Sequence, residues 1–351
     1  MSDSPKLIFV TGASGFLASH VIHELTKQGY RVRASARKNK VEPLRELYKS
    51  VPSIEIVEIA DIAHGEFEEL LQGVDAVIHT ASPLPGRQDV DSMLKSAIDG
   101  SLNVLKQAEK VGIKKFVVTG STISVRDDPR TVGVSFRADH WNPVTKEQAK
   151  SGNKSVIYAV AKKYAELAIW EWAEANPHVD VTTINPPFLY GPFAPLHLPV
   201  APGDFSALSS DIMVYSLLIP TGVYPPGPGY ADFRDVAKAH VGALRTPPTV
   251  EGRKRIIFST PDGLDFNTVF ATLKKARPEL EGRLINQPPP VYPFDRYDID
   301  FDRVEEVTGM KKSDFHTTEE TFVDTVNDIL DLEKVWIENG YVIPKTLPSI
   351  L

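Results

Sequence analysis

The run Thr11-Gly12-Ala13-Ser14-Gly15-Phe16-Leu17-Ala18 constrains this chain more than any other stretch. It follows an apolar segment, residues 6–11, that reads as a buried strand. It precedes residues 19–28, whose apolar periodicity is that of an amphipathic helix ending near Gly29. Glycines at 12 and 15, with a small Ala18, let the backbone turn tightly and come close to a ligand. The helix behind the turn presents free N–H groups and the positive end of its dipole, which suits a pyrophosphate. Thr11, Gly12, Ser14, Gly15, Phe16 and Leu17 are therefore candidate cofactor contacts. The simpler alternative is a plain strand-to-helix turn helped by its glycines.

The rest of the first half repeats the alternation. Residues 31–36, 54–59, 76–80, 116–119 and 179–185 read as strands. Residues 90–111 and 153–176 read as long helices, the second stopped by Pro177. Strands alternating with helices of this length mean βαβ units and a parallel sheet. The strands are near-continuous apolar runs, as expected where helices cover both faces. The expected fold is α/β: a Rossmann-type doubly wound parallel sheet over residues 1–185. A smaller, loop-rich, mainly substrate-binding part is expected over residues 186–351, with some segments returning to the sheet. Pro and Gly crowd residues 186–229 and break regular elements there. Helices are expected at 209–218, 234–244 and 318–338, and a strand at 255–259.

The cofactor can be narrowed at the end of the second strand. An NAD site usually carries Asp or Glu about 20 residues past the glycines, on the ribose 2′-OH. Here the strand ends Arg33-Ala34-Ser35-Ala36-Arg37-Lys38, with no acid at that place. Arg37 and Lys38 offer positive charge and donors to a 2′-phosphate, which Arg can grip with two parallel hydrogen bonds. The reading is NADP(H); basic residues opening a solvated loop are the alternative. Asp61-Ile62 lie just past strand three, placed for the adenine edge. Thr80-Ala81-Ser82 follow strand four, where small residues let a cofactor pass close. Simple loop capping is the competing account of both.

Tyr158 and Lys162 lie four apart on one expected helix and so share a face. A phenol has an unperturbed pKa near 10, and a Lys cation within about 4–6 Å favours the phenolate, lowering it toward working pH. Lys162 can also reach a nicotinamide ribose. Tyr-x-x-x-Lys alone recurs on many solvated helix faces. Its place after the fifth strand gives it weight, because there the sheet edge meets a nicotinamide. That strand ends Thr119-Gly120-Ser121-Thr122, where a hydroxyl can bond a reacting carbonyl and stabilise oxyanion charge. Ser124 is the competing serine.

Thr11-Gly12…Gly15, Ser121 and Tyr158/Lys162, in this order, resemble the extended short-chain dehydrogenase/reductase family over nearly the whole chain. Ile184-Asn185-Pro186-Pro187-Phe188-Leu189-Tyr190-Gly191-Pro192 and Phe233-Arg234-Asp235-Val236-Ala237-Lys238-Ala239-His240 are similar to segments of dihydroflavonol, cinnamoyl-CoA and fungal aldehyde/ketone reductases. The resemblance implies that Ser121 polarises the carbonyl, Tyr158 is the general acid and Lys162 modulates it. It places Pro186, Phe188 and Leu189 at the nicotinamide end, and matches Ser121 better than Ser124. Val156-Ile157-Tyr158 stands where the cinnamoyl-CoA enzymes carry Asn-Trp-Tyr, and Arg126 where the flavonoid enzymes carry Asn. The likeness is therefore greatest to the fungal carbonyl reductases, which implies NADPH-dependent reduction of an aldehyde or ketone by a monomer or homodimer.

Bulk properties set outer bounds. A formal net charge of −7 argues against an electrostatic hold on nucleic acid or an anionic membrane face. No apolar run reaches the roughly 20 residues of a membrane helix, and no signal peptide is expected before the first strand. The chain has no cysteine, which suits a cytoplasmic location. Its nine histidines show no metal-ligand spacing. Residues 193–230 contain no Lys or Arg and are rich in Pro, Leu, Val and Phe, which favours a neutral, apolar carbonyl substrate. Two other functions stay open: a nucleotide-sugar epimerase or dehydratase on the same fold, and a non-enzymatic NADP-sensing protein. Asn103 is open too, as a water-relay or a packing residue.

Overall fold

A computed structural model describes residues 6–82, 90–125, 138–248, 253–292 and 296–347. Arg126, one of the substrate-discriminating positions, lies outside them. Seven strands form one sheet: β1 (Leu7–Thr11), β2 (Arg31–Ala36), β3 (Ile54–Glu58), β4 (Ala76–His79), β5 (Lys115–Thr119), β6 (Asp180–Asn185) and β9 (Lys254–Ile257). Their order is β3-β2-β1-β4-β5-β6-β9, and every pair is parallel. The chain runs outward from β1 to β3, then crosses back to β4 on the other side of β1. That reversal opens a crevice beyond the carboxyl ends of β1 and β4, the usual ligand position in a doubly wound α/β sheet. Thr11 and His79 pair at its floor.

Alternation along the strands makes two cores. Ile8 and Val10 point to the face packed by α1 (Phe16–Lys27), α2 (Lys38–Tyr48), α6 (Phe233–Ala243) and α8 (Phe301–Thr308). Leu7 and Phe9 point the other way, with Val77, Phe116 and Val118, toward α3 (Val90–Lys110) and α4 (Lys154–Ala175). Trp170 is buried in this second core and Trp172 packs edge-on against Phe116, so both serve packing. A third core, around Tyr190, Leu208, Tyr215, Phe322 and Trp336, belongs to the C-terminal part. There α5 (Asp211–Leu217), α7 (Phe266–Ala276) and α9 (Thr318–Glu338) pack together, beside a two-stranded parallel sheet of β7 (Phe188–Tyr190) and β8 (Tyr230–Asp232).

Several elements differ from the sequence expectation. The first helix begins at Phe16, three residues early, because Gly15 is its N-cap. Helix α2 was not expected: it is rich in charge, holds Pro43 inside, and buries only Val41, Leu44 and Tyr48. The stretch after residue 245 carries α7 and α8 as well as loops. The apolar residues of 193–230 are largely consumed by the third core, where Val200, Phe205, Leu208, Met213, Val214, Tyr215, Leu217, Leu218 and Ile219 are buried. Packing, not a ligand pocket, explains most of that segment's composition. Among the described residues no helix is long and apolar enough to cross a membrane.

Candidate active site

The glycine turn is dictated by its geometry. Gly12 has φ +78, where side chains are rarely tolerated, and a Cβ there would meet the Ala81 backbone at 3.1 Å. Its carbonyl accepts from Gly15 N–H at 2.8 Å, and Ala13 N–H donates to Ser35 O at 2.9 Å, tying the turn to β2. Thr80 Oγ1 donates to Thr11 O (2.6 Å), and Thr11 Oγ1 accepts from Ala81 N–H (3.2 Å). Thr11, Thr80 and Ala81 thus lock the ends of β1 and β4 together under the exposed Ser14 and Gly15.

No side chain caps α1, whereas Asn153, Asp232, Asp265, Asp300 and Thr317 cap α4, α6, α7, α8 and α9. The first-turn N–H groups, Phe16 and Leu17 included, therefore face the crevice without an internal acceptor from a cap. The Phe16 ring stacks on Phe233 at 4.3 Å and so anchors the helix start to α6. Arg37 is the N-cap of α2 and Lys38 its first residue; both are exposed, and neither forms an ion pair among the described residues. An uncapped helix start, a close-approach glycine and, just past the neighbouring strand, two cations without an ion pair among the described residues fit a phosphorylated dinucleotide.

Other proposed cofactor contacts fall around this crevice. Asp61 is exposed, and its carboxylate accepts from Ala63 N–H (2.9 Å) and His64 N–H (3.2 Å), closing its own loop. Ile62 is half-buried against the second core. Asn103 donates to Ile62 O and Gly65 O, so it holds this loop and does not face the chemical groups. Ala81 and Ser82 line a small cavity with Thr119, Gly120 and Lys162. Pro186 is buried, and its carbonyl accepts from Thr122 N–H (3.0 Å). Phe188 and Leu189 are half-buried on β7.

The chemical groups meet at the end of β5. Ser121 caps a short 3-10 turn, Thr122–Ser124, its hydroxyl accepting from Ile123 N–H at 3.3 Å. Tyr158 lies near the start of α4, close enough to the Ser121 side chain for that hydroxyl to favour its phenolate. One turn on, Lys162 Nζ donates to Thr119 O at 3.3 Å. Ser124 is fully buried with its hydroxyl 2.5 Å from Glu166, so it faces away from the crevice.

The charge states differ from the expectation in one respect. Burial raises Tyr158 above the ordinary phenol value, and the neighbouring Ser121 hydroxyl only partly offsets it. The downward shift expected from Lys162 does not prevail. Tyr158 is thus held as a neutral phenol that carries a proton to give. Burial pushes Lys162 down to about 8, with the Glu166 charge working against it. His79 is buried beside Lys162 and pushed down to about 3, so it is neutral; its Nδ1 pairs with Thr11 Oγ1 at 2.8 Å. His240, also neutral, joins α6 to β5 through Thr119 Oγ1 at 2.8 Å, a structural role.

Sequence reasoning missed Glu166, Asn185 and Arg255. Glu166 accepts from both Asn185 and Arg255, while Asn185 Oδ1 accepts from Ser121 N–H at 2.9 Å. The one sequence signal for this was Gly120, where a Cβ would lie 2.0 Å from Asn185 Oδ1.

Comparison with known proteins adds to this geometry. The NAD dependent epimerase/dehydratase family matches residues 8–256. Aldehyde reductase 2 of Sporidiobolus salmonicolor is 31% identical over 287 residues, covering 78% of this chain and 82% of that protein. NADPH-dependent methylglyoxal reductase GRE2 of Saccharomyces cerevisiae is 31% identical over 294 residues, covering 76% and 83%. The crystal structure of yeast methylglyoxal/isovaleraldehyde reductase Gre2 complexed with NADPH matches with a TM-score of 0.79. It is 29% identical and covers 93% of this chain and 99% of that one.

Proposed function

This chain belongs to the NAD dependent epimerase/dehydratase family, and on that premise we propose that it is an NADPH-dependent reductase of neutral, largely apolar aldehydes or ketones. The observation that carries the reading is the meeting of Ser121, Tyr158 and Lys162 at the sheet edge, across the crevice from the Gly12 turn. The relatives point the same way, since the proteins at 31% identity are an aldehyde reductase and an NADPH-dependent methylglyoxal reductase.

NADPH, when bound, supplies the hydride. The pyrophosphate would rest on the Gly12–Gly15 turn and the start of α1, and the 2′-phosphate on Arg37 and Lys38. Ser121 donates a hydrogen bond to the carbonyl oxygen and lowers the cost of the charge that develops there. Tyr158 gives its phenolic proton to that same oxygen, completing the alcohol. Lys162, cationic below about pH 8, stabilises the phenolate left on Tyr158. A sensor without turnover has no need of this acid.

A nucleotide-sugar epimerase is the second reading. Its substrate brings a diphosphate, which calls for cations, and residues 193–230 supply no Lys or Arg. Phe193, Ile212 and Tyr224 pack against that core but stay half-buried, so each leaves apolar surface uncovered. Steady-state kinetics test the reading. The wild type is expected to reduce neutral aryl or branched aldehydes with NADPH far faster than with NADH, and to leave nucleotide sugars untouched. Arg37→Glu is expected to raise KM for NADPH about 10- to 100-fold, the worth of a charged hydrogen bond, and to spare NADH. Equal use of both cofactors by the wild type, or turnover of nucleotide sugars above neutral aldehydes, would overturn it.

A further inference from the structure

A buried carboxylate stands behind the three chemical groups, and five hydrogen bonds converge on it. Glu166 Oε2 accepts from Ser124 Oγ (2.5 Å) and Arg255 Nη2 (3.2 Å). Its Oε1 accepts from Thr183 Oγ1 (2.8 Å), Asn185 Nδ2 (3.0 Å) and Arg255 Nε (2.9 Å). Arg255 is itself fully buried. Its Nη1 donates to the carbonyls of Ala138 and His140, and its guanidinium lies 3.8 Å from the Trp141 ring centroid. A buried ion pair is weak evidence for stability, since a well-packed apolar pair often does as well. Its connections indicate what else it does.

They run in two directions. Asn185 accepts from Ser121 N–H at 2.9 Å, and Ser124 Oγ lies 2.7 Å from Ser121 O. The Ser121 N–H is thus held by Asn185, whose amide rests on Glu166, and the Ser124 hydroxyl shares its one proton between the Ser121 carbonyl and Glu166. Gly120 is part of the same fit, because a Cβ there would strike Asn185. In the other direction, Glu166 lies one helical turn past Lys162, which lies one turn past Tyr158, all on one face of α4. Lys162 and Glu166 line the same small cavity.

We propose that Glu166 is a positioning residue for carbonyl reduction: its carboxylate fixes the Ser121 peptide through Asn185 and Ser124, and supplies the negative charge behind Lys162. The proposal rests on the roles given above to Ser121 and Lys162. Among the described residues, the groups that face Lys162 are few. On α4 they are Tyr158 and Glu166; β4 offers neutral His79, and β5 the Thr119 carbonyl. Thr183 of β6 and Ser101 and Ala97 of α3 line its cavity without charge, and Arg255 of β9 lies beyond Glu166. Glu166 is the one anion among them, and it opposes the burial that lowers Lys162.

The test uses Glu166→Gln, the double variant Glu166→Gln with Arg255→Met, and Ser124→Ala, each in the full chain. The first readout needs no turnover: acetylation of the Lys162 amine by a trace of acetic anhydride, followed by mass spectrometry across pH. In both Glu166 variants the titration midpoint of Lys162 is expected below the wild-type value, and the alkaline limb of kcat moves to lower pH with it. Their kcat should fall about 10-fold or more, up to the 10²–10³ of a lost oxyanion donor, with KM for the carbonyl little changed. Ser124→Ala should reduce kcat without moving Lys162. If Glu166→Gln cannot fold around an unpaired Arg255, the double variant leaves no such charge. Ser124→Ala removes only a hydroxyl and tests the Ser121 arm even if both Glu166 variants are lost. A folded Glu166 variant with the wild-type Lys162 midpoint and kcat would overturn the proposal, as would unchanged kcat in Ser124→Ala. A wild type inert toward carbonyls would instead sink the reductase reading, and the Lys162 midpoint would still be measurable.

Discussion

Tyr158→Phe is expected to lower kcat for carbonyl reduction by about 10²–10⁴, the range of general acid catalysis, and to leave NADPH affinity nearly unchanged. The substitution keeps the ring near the start of α4 and removes only the hydroxyl. Burial holds that hydroxyl neutral, and the one side chain that favours its phenolate is Ser121, so removing the hydroxyl costs the fold little. The phosphate turn and Arg37 lie on β1, β2 and the helices that follow them, away from α4. Fluorescence titration with NADPH beside steady-state kinetics separates the two effects. Near-normal kcat in this variant would mean that another group gives the proton.

Ser121→Ala is expected to lower kcat by up to about 10²–10³ by removing a donor aimed at the developing oxyanion. Stability should change little. The Ser121 hydroxyl caps its 3-10 turn only through a 3.3 Å contact with Ile123 N–H, while the backbone of the turn is held independently by Asn185. Thermal unfolding beside kcat measures both. A large loss of stability with a proportionate loss of folded enzyme would assign Ser121 to the turn and not to the carbonyl.

Much of this was legible in the chain. The Gly12 turn was readable because its strand and helix are both strong local signals, and the parallel sheet because short apolar-rich runs alternate with long helical ones. Tyr158 and Lys162 were readable because helical spacing is local. What escaped depends on tertiary contacts. Asn185 and Arg255 sit on strands, where periodicity reports only burial, and Arg255 lies 89 positions from Glu166 along the chain. Helix α2 escaped because Pro43 and its charges mask a three-residue apolar stripe. The apolar segment 193–230 was misjudged in emphasis, since sequence does not distinguish a core from a pocket wall. The Tyr158 shift was misjudged because the Lys162 charge was weighed without the desolvation that opposes it.

The central claim, one-way delivery of a hydride to a carbonyl carbon, is tested most directly by isotope transfer. NADPH deuterated at the transferable nicotinamide position is incubated with the enzyme and a neutral aldehyde, and the products are resolved by mass spectrometry and NMR. The account predicts an alcohol with deuterium on its carbinol carbon, and oxidised cofactor that has lost it. Deuterium that stays with the cofactor, while a nucleotide sugar is epimerised or dehydrated in the same assay, would contradict it.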